Sequence, residues 1–535
     1  MNKNFSILFL QDYKRSDLLA LKCSKDHKQY KIQIHRNHSF EMIASVLAPF
    51  LDFAEIQASF IYSDYDDSLG YAHKEESDLE LIWLDISRYK QIDLVSFLAE
   101  RIVALRKKSQ SPILLLHTGE MDLSGLMALV PDFYLFSILE TIACLKEKMF
   151  DLEKADFTGT RLSHKACLLL AKRIGLSYIP SLLKPTLKAI VLDLDNTLYQ
   201  GVLAEDGIEN LLLTPEHRIL QEYLKNFKNR GFLLCLSSKN EESDVLEMFS
   251  RRDDFPLKLS DFSISEINWL PKEQNILKIS QKLNIGLDSM LFIDDNIAEI
   301  QSVEMALGMK TILAKSPQEV VRILEYYPGL LKKTLSKEDQ LRNSDIKANH
   351  IRQAMAKELS LVEYFQTLSI KLLFFVSSHD HLPRAVELLN KTNQFILNYR
   401  RYNPSQINRI SMDSNFCIIT ISMSDSLSDS GIIAVVIAAV KNGRLFIDEI
   451  AISCRALGRK LESFMILNAC KIAQKKLNTD NLVYFPYQKG DRNKPCLEWL
   501  GELTLQSIQE EKGCIEFKLP EKIDNPGVEW NESLV

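Results

Sequence analysis

Residues 188–198 read KAIVLDLDNTL, an apolar run that ends in Asp193 and Asp195. The run predicts a buried strand of a parallel sheet, and side-chain alternation sends both carboxyl groups the same way beyond the strand's carboxyl end. Ligands bind at that edge of an open α/β sheet. One carboxylate can attack phosphorus while the other protonates the leaving oxygen and later activates water. The alternative is that the acidic pair only caps the following helix.

Two further segments supply groups that can hold a phosphoryl group. Residues 232–237 predict an apolar strand that ends at Ser238, Lys239 and Asn240, where a hydroxyl group and backbone N–H groups can bind phosphate oxygens. Lys272 begins a predicted helix further along the chain, and its ammonium group can neutralise phosphoryl charge. The sequence therefore predicts phosphate binding by Ser238, Lys239 and Lys272.

A third strand end adds carboxylates. Residues 289–293 are followed by Asp294 and Asp295, which supply the third carboxylate that an octahedral Mg²⁺ site needs. Neighbouring anions repel each other, so a divalent cation is required to keep them ionised beside a phosphate. We therefore expect Mg²⁺ as the cofactor and a small phosphorylated molecule as the substrate.

Composition restricts the class of protein. The chain has 535 residues, 46% hydrophobic and 25% charged, which is typical of several ordinary globular domains. Its net charge of -6 argues against a nucleic-acid partner. The longest apolar run, residues 432–440, is shorter than the ~20 residues of a membrane-spanning helix. Since the first residues show no cleavage site, we expect a cytoplasmic protein without a membrane segment.

Hydrophobic patterning predicts the α/β fold class with three domains. Residues 1–183 predict an α/β layered domain, residues 184–330 a parallel sheet with crossover helices, and residues 359–535 an α+β domain. Residues 331–358 are charged and predict a linker or exposed helix. The predicted strands of the outer domains are residues 5–10, 57–62, 79–84 and 112–116, and residues 368–376, 415–422, 432–440 and 444–451.

The four central motifs together resemble the haloacid-dehalogenase (HAD) phosphotransferase superfamily, whose core is a Rossmann-like parallel sheet. The resemblance implies that Asp193 forms an aspartyl phosphate and that Asp195 is the general acid and base. It also implies that Ser238 and Lys272 hold the phosphoryl group. Mg²⁺ would be bound by Asp193, Asp294 and the backbone carbonyl of Asp195, with Asp295 as a ligand or a support. The short intervals between the motifs leave no room for a cap domain, so the predicted site is open.

Further motifs resemble the FkbH-like branch, subfamily IIIC of that superfamily. They are residues 196–207 (NTLYQGVLAEDG), 284–289 (NIGLDS), 390–395 (NKTNQF), 400–402 (RRY) and 453–459 (SCRALGR). The last three resemble a C-terminal N-acetyltransferase-like (GNAT-like) domain. The resemblance implies that 1,3-bisphosphoglycerate is dephosphorylated and that its glyceryl group is loaded onto an acyl carrier protein, in secondary metabolism.

The C-terminal motif contains the predicted acyl-binding residues. Arg455, Gly458 and Arg459 are the candidates for binding an acyl or pantetheine group, although Lys460 replaces the small residue of the acetyltransferase loop. Cys454 is the candidate for carrying the acyl group, because a neighbouring arginine and a helix start lower a thiol pKa. A structural core cysteine is the alternative, and Cys235 is the rival thiol.

Two other functions remain open from the sequence. One is a sugar or polyol phosphate phosphatase with an N-acyltransferase domain, acting in surface polysaccharide synthesis. The identity of the substrate is left open by departures from the family pattern, namely Tyr199-Gln200 after the Asp-x-Asp motif and Ser237 where the family has cysteine. The other is a non-catalytic module that binds a carrier protein. Ser39 is expected to cap a helix rather than to act as a nucleophile.

Overall fold

The computed structural model describes residues 3–533 except 25, 65–68, 72–74, 91, 333–344, 346–347, 350, 353–354, 356–358, 455 and 491. The fold class is mixed α/β, with two parallel five-stranded sheets followed by a mixed seven-stranded sheet. The predicted domain boundaries near residues 184 and 359 stay predictions. The predicted linker, residues 331–358, lies largely outside the described residues.

The N-terminal sheet is parallel throughout, with strand order β2-β1-β3-β4-β5. Its strands are β1 Gln29–Arg36, β2 Gln57–Tyr62, β3 Leu79–Leu84, β4 Ile113–His117 and β5 Phe133–Ser137. Its α-helices are α1 Arg15–Leu19, α2 Glu41–Phe53, α3 Leu94–Lys108, α4 Leu139–Ile142, α5 Ala155–Thr158, α6 His164–Arg173 and α7 Ile179–Leu183. The predicted strand at residues 5–10 is wrong, because Lys3–Phe9 forms a 3-10 helix. Leu8 and Phe9 are buried there, and the Phe9 ring packs edge-on against Phe53 at 5.1 Å, so helix packing explains the apolar run.

One helical stretch, His164–Leu183, is long and apolar enough to cross a membrane by length and composition. It comprises α6, the π-helical turn Ile174–Tyr178 and α7, and 78% of its most apolar window is buried in the structure. It packs against α2, which accounts for its apolar character. This stretch does not form a long uninterrupted apolar run in the sequence, because Lys172 and Arg173 lie within it.

A buried polar cluster lies at the carboxyl edge of the N-terminal sheet. The His38 ring stacks on Trp83 at 4.8 Å, and its Nδ1 lies 3.0 Å from Thr160 Oγ1. Asp85 accepts two hydrogen bonds of 2.8 Å from Arg161. Ser39 donates its hydroxyl to Glu41 and does not cap the helix, contrary to our expectation. These contacts give the polar residues structural partners, so their presence does not require a catalytic nucleophile.

We expect acid to destabilise this N-terminal unit through His38. Burial, aided by the nearby arginines, lowers the His38 pKa from 6.5 to about 3. Below pH 6.5 the unfolded chain therefore binds a proton that the folded chain does not, and stability falls as the pH drops. The loss between pH 7 and pH 5 should be about 2 kcal/mol. Hydrogen exchange of β1–β3, corrected for intrinsic rates, should show this loss in the wild type and in exposed His164→Gln, but not in His38→Gln. An equal loss in His38→Gln would contradict the assignment.

The central sheet is also parallel, with strand order β10-β9-β6-β7-β8. Its strands are β6 Ala189–Leu192, β7 Leu233–Ser238, β8 Phe262–Ile267, β9 Met290–Asp294 and β10 Lys310–Leu313. Its α-helices are α8 Leu203–Asp206, α9 Pro215–Asn229, α10 Glu242–Arg251, α11 Lys272–Leu283, α12 Ile297–Leu307 and α13 Pro317–Tyr326. All four residues of β6 are buried, as expected of a strand covered on both faces. The carboxyl ends of β6, β7 and β9 therefore meet at one edge.

The C-terminal sheet is mixed, with strand order β16-β15-β14-β13-β12-β11-β17. Its strands are β11 Lys371–Val376, β12 Phe416–Ser424, β13 Asp429–Lys441, β14 Arg444–Ile452, β15 Leu482–Gln488, β16 Lys512–Lys518 and β17 Glu529–Ser533. From residue 359 onward, its α-helices are α14 Leu361–Leu368, α15 Leu382–Lys391, α16 Pro404–Ser411, α17 Glu462–Leu477 and α18 Lys494–Thr504. The four predicted strands correspond to β11–β14, and the last three strands were not predicted.

Candidate active site

Three carboxylates meet at the carboxyl edge of the central sheet. Asp193 directly follows β6, Asp294 is the last residue of β9, and Asp295 comes next in the chain. One oxygen from each lies within 4.8 Å of the others. Parallel pairing of β6 with β9 places the carboxyl ends of the two strands side by side, so Asp193 and Asp294 lie close together. The structure therefore brings together the three predicted metal-binding side chains, whereas Asp195 was predicted to bind the metal through its backbone carbonyl.

Lys272 completes this cluster from the first position of α11. Its ammonium group donates to Asp193 Oδ1 and to the carbonyl oxygen of Ser237, and it lies 3.3 Å from Asp294 Oδ2. The side chain is only 3% exposed. Pro271 precedes it with an extended backbone, so the helix begins at Lys272 and directs the side chain under the carboxylates. A buried cation in this position can neutralise charge on a phosphoryl group.

Burial makes the negative charge of the cluster costly. Burial is the largest of the effects that together raise the pKa of Asp193 to about 7, and the positive charge of Lys272 acts in the opposite direction. Burial also raises the pKa of Asp294 and of Asp295, and Asp193 adds to the effect at Asp295. A bound divalent cation would favour the ionised forms and receive oxygen ligands, which is the coordination that Mg²⁺ prefers. The residues present therefore fit a Mg²⁺ ion.

Asp195 is held by three hydrogen bonds beside this cluster. Its Oδ1 accepts from Tyr199 Oη at 2.7 Å and from the Leu203 backbone N–H at 3.1 Å. Its Oδ2 accepts from Asn240 Nδ2 at 2.9 Å. The chain can turn sharply after Asp195 because Asn196 adopts a left-handed conformation, with φ of 52°. Asp195 is thus fixed in orientation, although it is not among the three clustered carboxylates.

Sequence reasoning did not assign Tyr199 and Asn240 to the site. Tyr199 is buried, and in the sequence it stands out only as a departure from the family pattern. Asn240 follows Ser238, and its amide also donates to Ser238 Oγ at 3.0 Å. The signal that could have identified Asn240 is its place two residues after Ser238, at the carboxyl end of β7, where ligands bind in open α/β sheets.

The two predicted phosphate-binding residues after β7 differ in their surroundings. Ser238 is buried at the strand's carboxyl end, where its hydroxyl accepts the Asn240 hydrogen bond. Lys239 points elsewhere, because its ammonium group pairs with Glu299 of α12. Strand alternation explains the difference, since neighbouring residues face opposite sides of the sheet. The structure brings Ser238 to the site and gives Lys239 a partner outside it.

The predicted acyl-binding loop has other contacts. The Arg459 guanidinium is buried and lies 3.4 Å from carboxylate oxygens of both Asp345 and Asp425. The Gly458 backbone N–H donates to Glu462 Oε1 at 2.9 Å. Arg455 lies outside the described residues. Arg459 therefore has a structural ion-pair network, because a buried guanidinium needs compensating carboxylates.

Cys454 lies at the opposite edge of the central sheet from Asp193. Its carbonyl oxygen accepts from Asn284 Nδ2 at 3.0 Å, and it lines a groove together with Lys188, which precedes β6. The five positions from Lys188 to Asp193 span about 16 Å of extended chain. Cys235 is fully buried in β7, and burial raises its pKa to about 12. Neither thiol is brought to the carboxylate cluster.

We expect Cys454→Ser to leave phosphate release from an aryl phosphate unchanged within about twofold. The reason is distance, since a serine at the other edge of the sheet alters no contact of Asp193 or Lys272. Steady-state kcat and KM for wild type and variant provide the measurement, with Cys514→Ser at an exposed cysteine as the control. A kcat reduced tenfold or more only in Cys454→Ser would contradict this placement.

The cleft between β14 and β15 is occupied by the chain itself. The two strands pair only at Leu445 with Val483 and at Phe446 with Tyr484, and then they diverge. Residues 395–398 fill the gap: the Leu397 N–H donates to Ile450 at 3.2 Å, and the Leu397 carbonyl accepts from Gln488 at 3.1 Å. A pantetheine arm entering between these strands would meet this segment.

Glu449 of β14 anchors the inserted segment. Its Oε1 accepts from the backbone N–H groups of Leu397 and Asn398 at 2.8 and 2.9 Å, and its Oε2 accepts from the Arg400 N–H at 2.7 Å. Burial raises the Glu449 pKa to about 7, and the N–H donors hold the pKa below the value that burial alone would produce. One buried carboxylate thus fixes the segment across the cleft.

No family model matches the chain, and no curated protein matches it. One similar solved structure is the N-terminal part of the protein BF1531 from Bacteroides fragilis, which contains a phosphatase domain complexed with Mg. It is 23% identical to this chain with a TM-score of 0.49, and the match covers 61% of this chain and 100% of that chain.

Two other solved structures match shorter parts of the chain. A hypothetical protein from Xanthomonas campestris is 16% identical with a TM-score of 0.20, over 27% of this chain and 84% of its own. A HAD-superfamily hydrolase of subfamily IA from Geobacter sulfurreducens is 18% identical with a TM-score of 0.17, over 24% of this chain and 88% of its own. All three TM-scores are below 0.5, so the interpretation of the site rests on its own geometry.

Proposed function

We propose that this protein is a Mg²⁺-dependent HAD-type phosphatase or phosphotransferase. The observation that carries the proposal is the cluster of Asp193, Asp294 and Asp295 at the carboxyl edge of a parallel sheet, with the first two carboxylates buried against Lys272. A purely structural role would not require three repelling carboxylates at one strand edge. Bound Mg²⁺ would neutralise phosphate charge and hold the carboxylates ionised.

The chain's own residues supply the covalent chemistry. An Asp193 oxygen attacks phosphorus, the bond from phosphorus to the leaving oxygen breaks, and Asp195 gives that oxygen a proton. Asp195 then takes a proton from water, which attacks the aspartyl phosphate and releases inorganic phosphate. Ser238 and Lys272 bind phosphoryl oxygens, while Tyr199 and Asn240 hold Asp195 in place.

For the substrate, we propose a three-carbon acyl phosphate of the 1,3-bisphosphoglycerate type in the cytoplasm, with the glyceryl group passed to an acyl carrier protein. Support comes from the motif resemblance and from the open site. Between β6 and β7 the chain forms α8, a 3-10 turn at Ile208–Asn210 and α9, without a cap domain. Because Cys454 is at the far edge, we propose that Asp193 removes the phosphate ester of the third carbon and that the acyl group passes directly to the carrier thiol. The thiol sulfur bonds to the acyl carbon, the bond from that carbon to the acyl-phosphate oxygen breaks, and phosphate leaves with the thiol proton.

The alternative with a sugar or polyol phosphate substrate requires the C-terminal unit to use acyl-CoA. The filled cleft beside Glu449 weighs against that requirement, and it weighs equally against pantetheine binding between those strands. The non-catalytic alternative leaves unexplained why Lys272 is buried against two carboxylates. Phosphatase chemistry is therefore the function that the geometry supports best.

Mg²⁺ removal should abolish phosphate release. We expect the wild type to hydrolyse p-nitrophenyl phosphate with Mg²⁺, to lose at least about 100-fold of the rate in EDTA, and to recover when Mg²⁺ is added back. The reason is that the three carboxylates repel phosphate without a cation. Phosphate release measured by a colorimetric assay tests this expectation. An undiminished rate in EDTA would contradict the metal assignment.

Carrier loading is tested separately with 1,3-bisphosphoglycerate and a holo acyl carrier protein. Mass spectrometry should detect a hydroxylamine-labile glyceryl adduct on the carrier. If aryl phosphatase activity is present and no carrier is loaded, the acyl-transfer proposal fails and the phosphatase proposal stands.

A further inference from the structure

A groove that is open to solvent lies between the amino edge of the central sheet and the C-terminal unit. Its walls include the segment before β6, the turn after α11, helix α15 and the end of β14. It lies at the opposite edge of the central sheet from Asp193, so the phosphatase mechanism does not use it.

Three contacts across the groove fix its walls. Asn284 donates to the Cys454 carbonyl at 3.0 Å, and Lys188 Nζ donates to the Lys391 carbonyl at 3.2 Å. At the rim, Arg492 forms an ion pair with Asp288. Since each contact joins the central unit to the C-terminal unit, the groove is a preformed cavity between them.

Among the described residues, the groove is lined by four basic side chains and one acidic one. The basic residues are Lys188, Arg384, Lys391 and Arg492, and Glu387 is the acidic residue. Glu387 forms ion pairs with both Arg384 and Lys391, and Asp288 at the rim pairs with Arg492. Four basic side chains against these two carboxylates leave an excess of two positive charges, and a concave wall strengthens their field.

Polar groups that can orient a ligand lie on the same walls. Thr392, Asn393 and Gln394 contribute a hydroxyl and two amides, and Ser453 contributes a second hydroxyl. A monocarboxylate would compensate only part of the charge excess, whereas a phosphate ester carries two negative charges and several acceptor oxygens. Charge and hydrogen-bonding capacity thus favour the phosphate group.

We propose that this groove binds a small phosphate-bearing polyanion, at a site separate from the Asp193 cluster. The bound anion would contact Lys391 and Arg492 and would cover the Cys454 thiol, which is partly exposed on the groove wall. The proposal is independent of the phosphatase reaction, since no residue of the carboxylate cluster lines the groove.

Alkylation of Cys454 provides a local readout. Inorganic pyrophosphate is added in EDTA, to suppress turnover, against sodium chloride of equal ionic strength, and N-ethylmaleimide labelling of each cysteine is followed by peptide mass spectrometry. We expect pyrophosphate to slow labelling of Cys454 at least about fivefold and to leave exposed Cys514 unaffected. Unchanged labelling of Cys454 at saturating pyrophosphate would overturn the proposal.

Charge variants identify where the anion binds. Lys391→Gln combined with Arg492→Gln should raise the half-protecting concentration about tenfold or more, since two charge-assisted contacts are lost. Arg409→Gln, at an exposed arginine outside the groove, should not change it. Thermal unfolding reports that each variant is folded, and Arg492→Gln alone replaces the double variant if the double variant is unfolded. Undiminished protection in the charge variant, or protection lost in Asp193→Asn, would overturn the proposal.

Discussion

Replacing Asp193 by asparagine is expected to lower kcat for an aryl phosphate by at least about 1,000-fold. Asparagine keeps the volume of the side chain but has no carboxylate oxygen to attack phosphorus. It also removes the negative charge that helps to hold a metal ion and that pairs with the Lys272 ammonium group. Single-turnover phosphate release with Mg²⁺ present gives the measurement, because it isolates the chemical step.

The matched control is Asp253→Asn, at a fully exposed aspartate, which should retain the wild-type rate. Thermal unfolding of both variants establishes that they are folded. Full activity of Asp193→Asn would exclude the aspartyl-phosphate mechanism. A folded wild type that hydrolyses no phosphate ester with Mg²⁺ would favour the carrier-binding module.

Replacing Glu449 by glutamine should destabilise the C-terminal unit by about 1 kcal/mol or more at pH 8, because the cost of unpaired buried donors exceeds the gain from removing a buried charge whose pKa is raised. At that pH, above the pKa of about 7, the buried wild-type carboxylate accepts the backbone N–H groups with both oxygens. The amide has only one acceptor oxygen, and its NH₂ group would face the N–H of Leu397 or of Arg400. The loss follows from an unpaired donor rather than from a cavity, because the two side chains have nearly equal volumes.

Urea unfolding followed by hydrogen exchange of β14 and β15 measures this effect. Glu510→Gln, at an exposed position of the same unit, is the control and should change stability by no more than about 0.5 kcal/mol. If Glu449→Gln unfolds like the control, the inserted segment is held by packing alone and the carboxylate does not anchor it.

Local sequence patterning is enough to predict the central strands and the polar residues that follow them. Apolar runs of four to six residues fix β6, β7 and β9, and strand periodicity fixes which face each following side chain takes. Local patterning therefore sufficed to predict Asp193, Ser238, Lys272 and Asp294 as members of one site. The same patterning failed at Lys3–Phe9, because an apolar run this short fits a helix and a strand equally well.

Which side chains and segments distant in the sequence come into contact is visible only in the tertiary structure. Arg459 looked like a ligand-binding residue in its motif, but Asp345 and Asp425 compensate its charge from far along the chain. Cys454 was predicted to carry the acyl group. Its contact with Asn284, and the groove that it lines together with Lys188, place it at the amino edge of the central sheet. Residues 395–398 carry no pattern that predicts insertion between β14 and β15. Such contacts depend on how sheets and loops pack across 34 or more positions of sequence, and local patterning contains no information at that range.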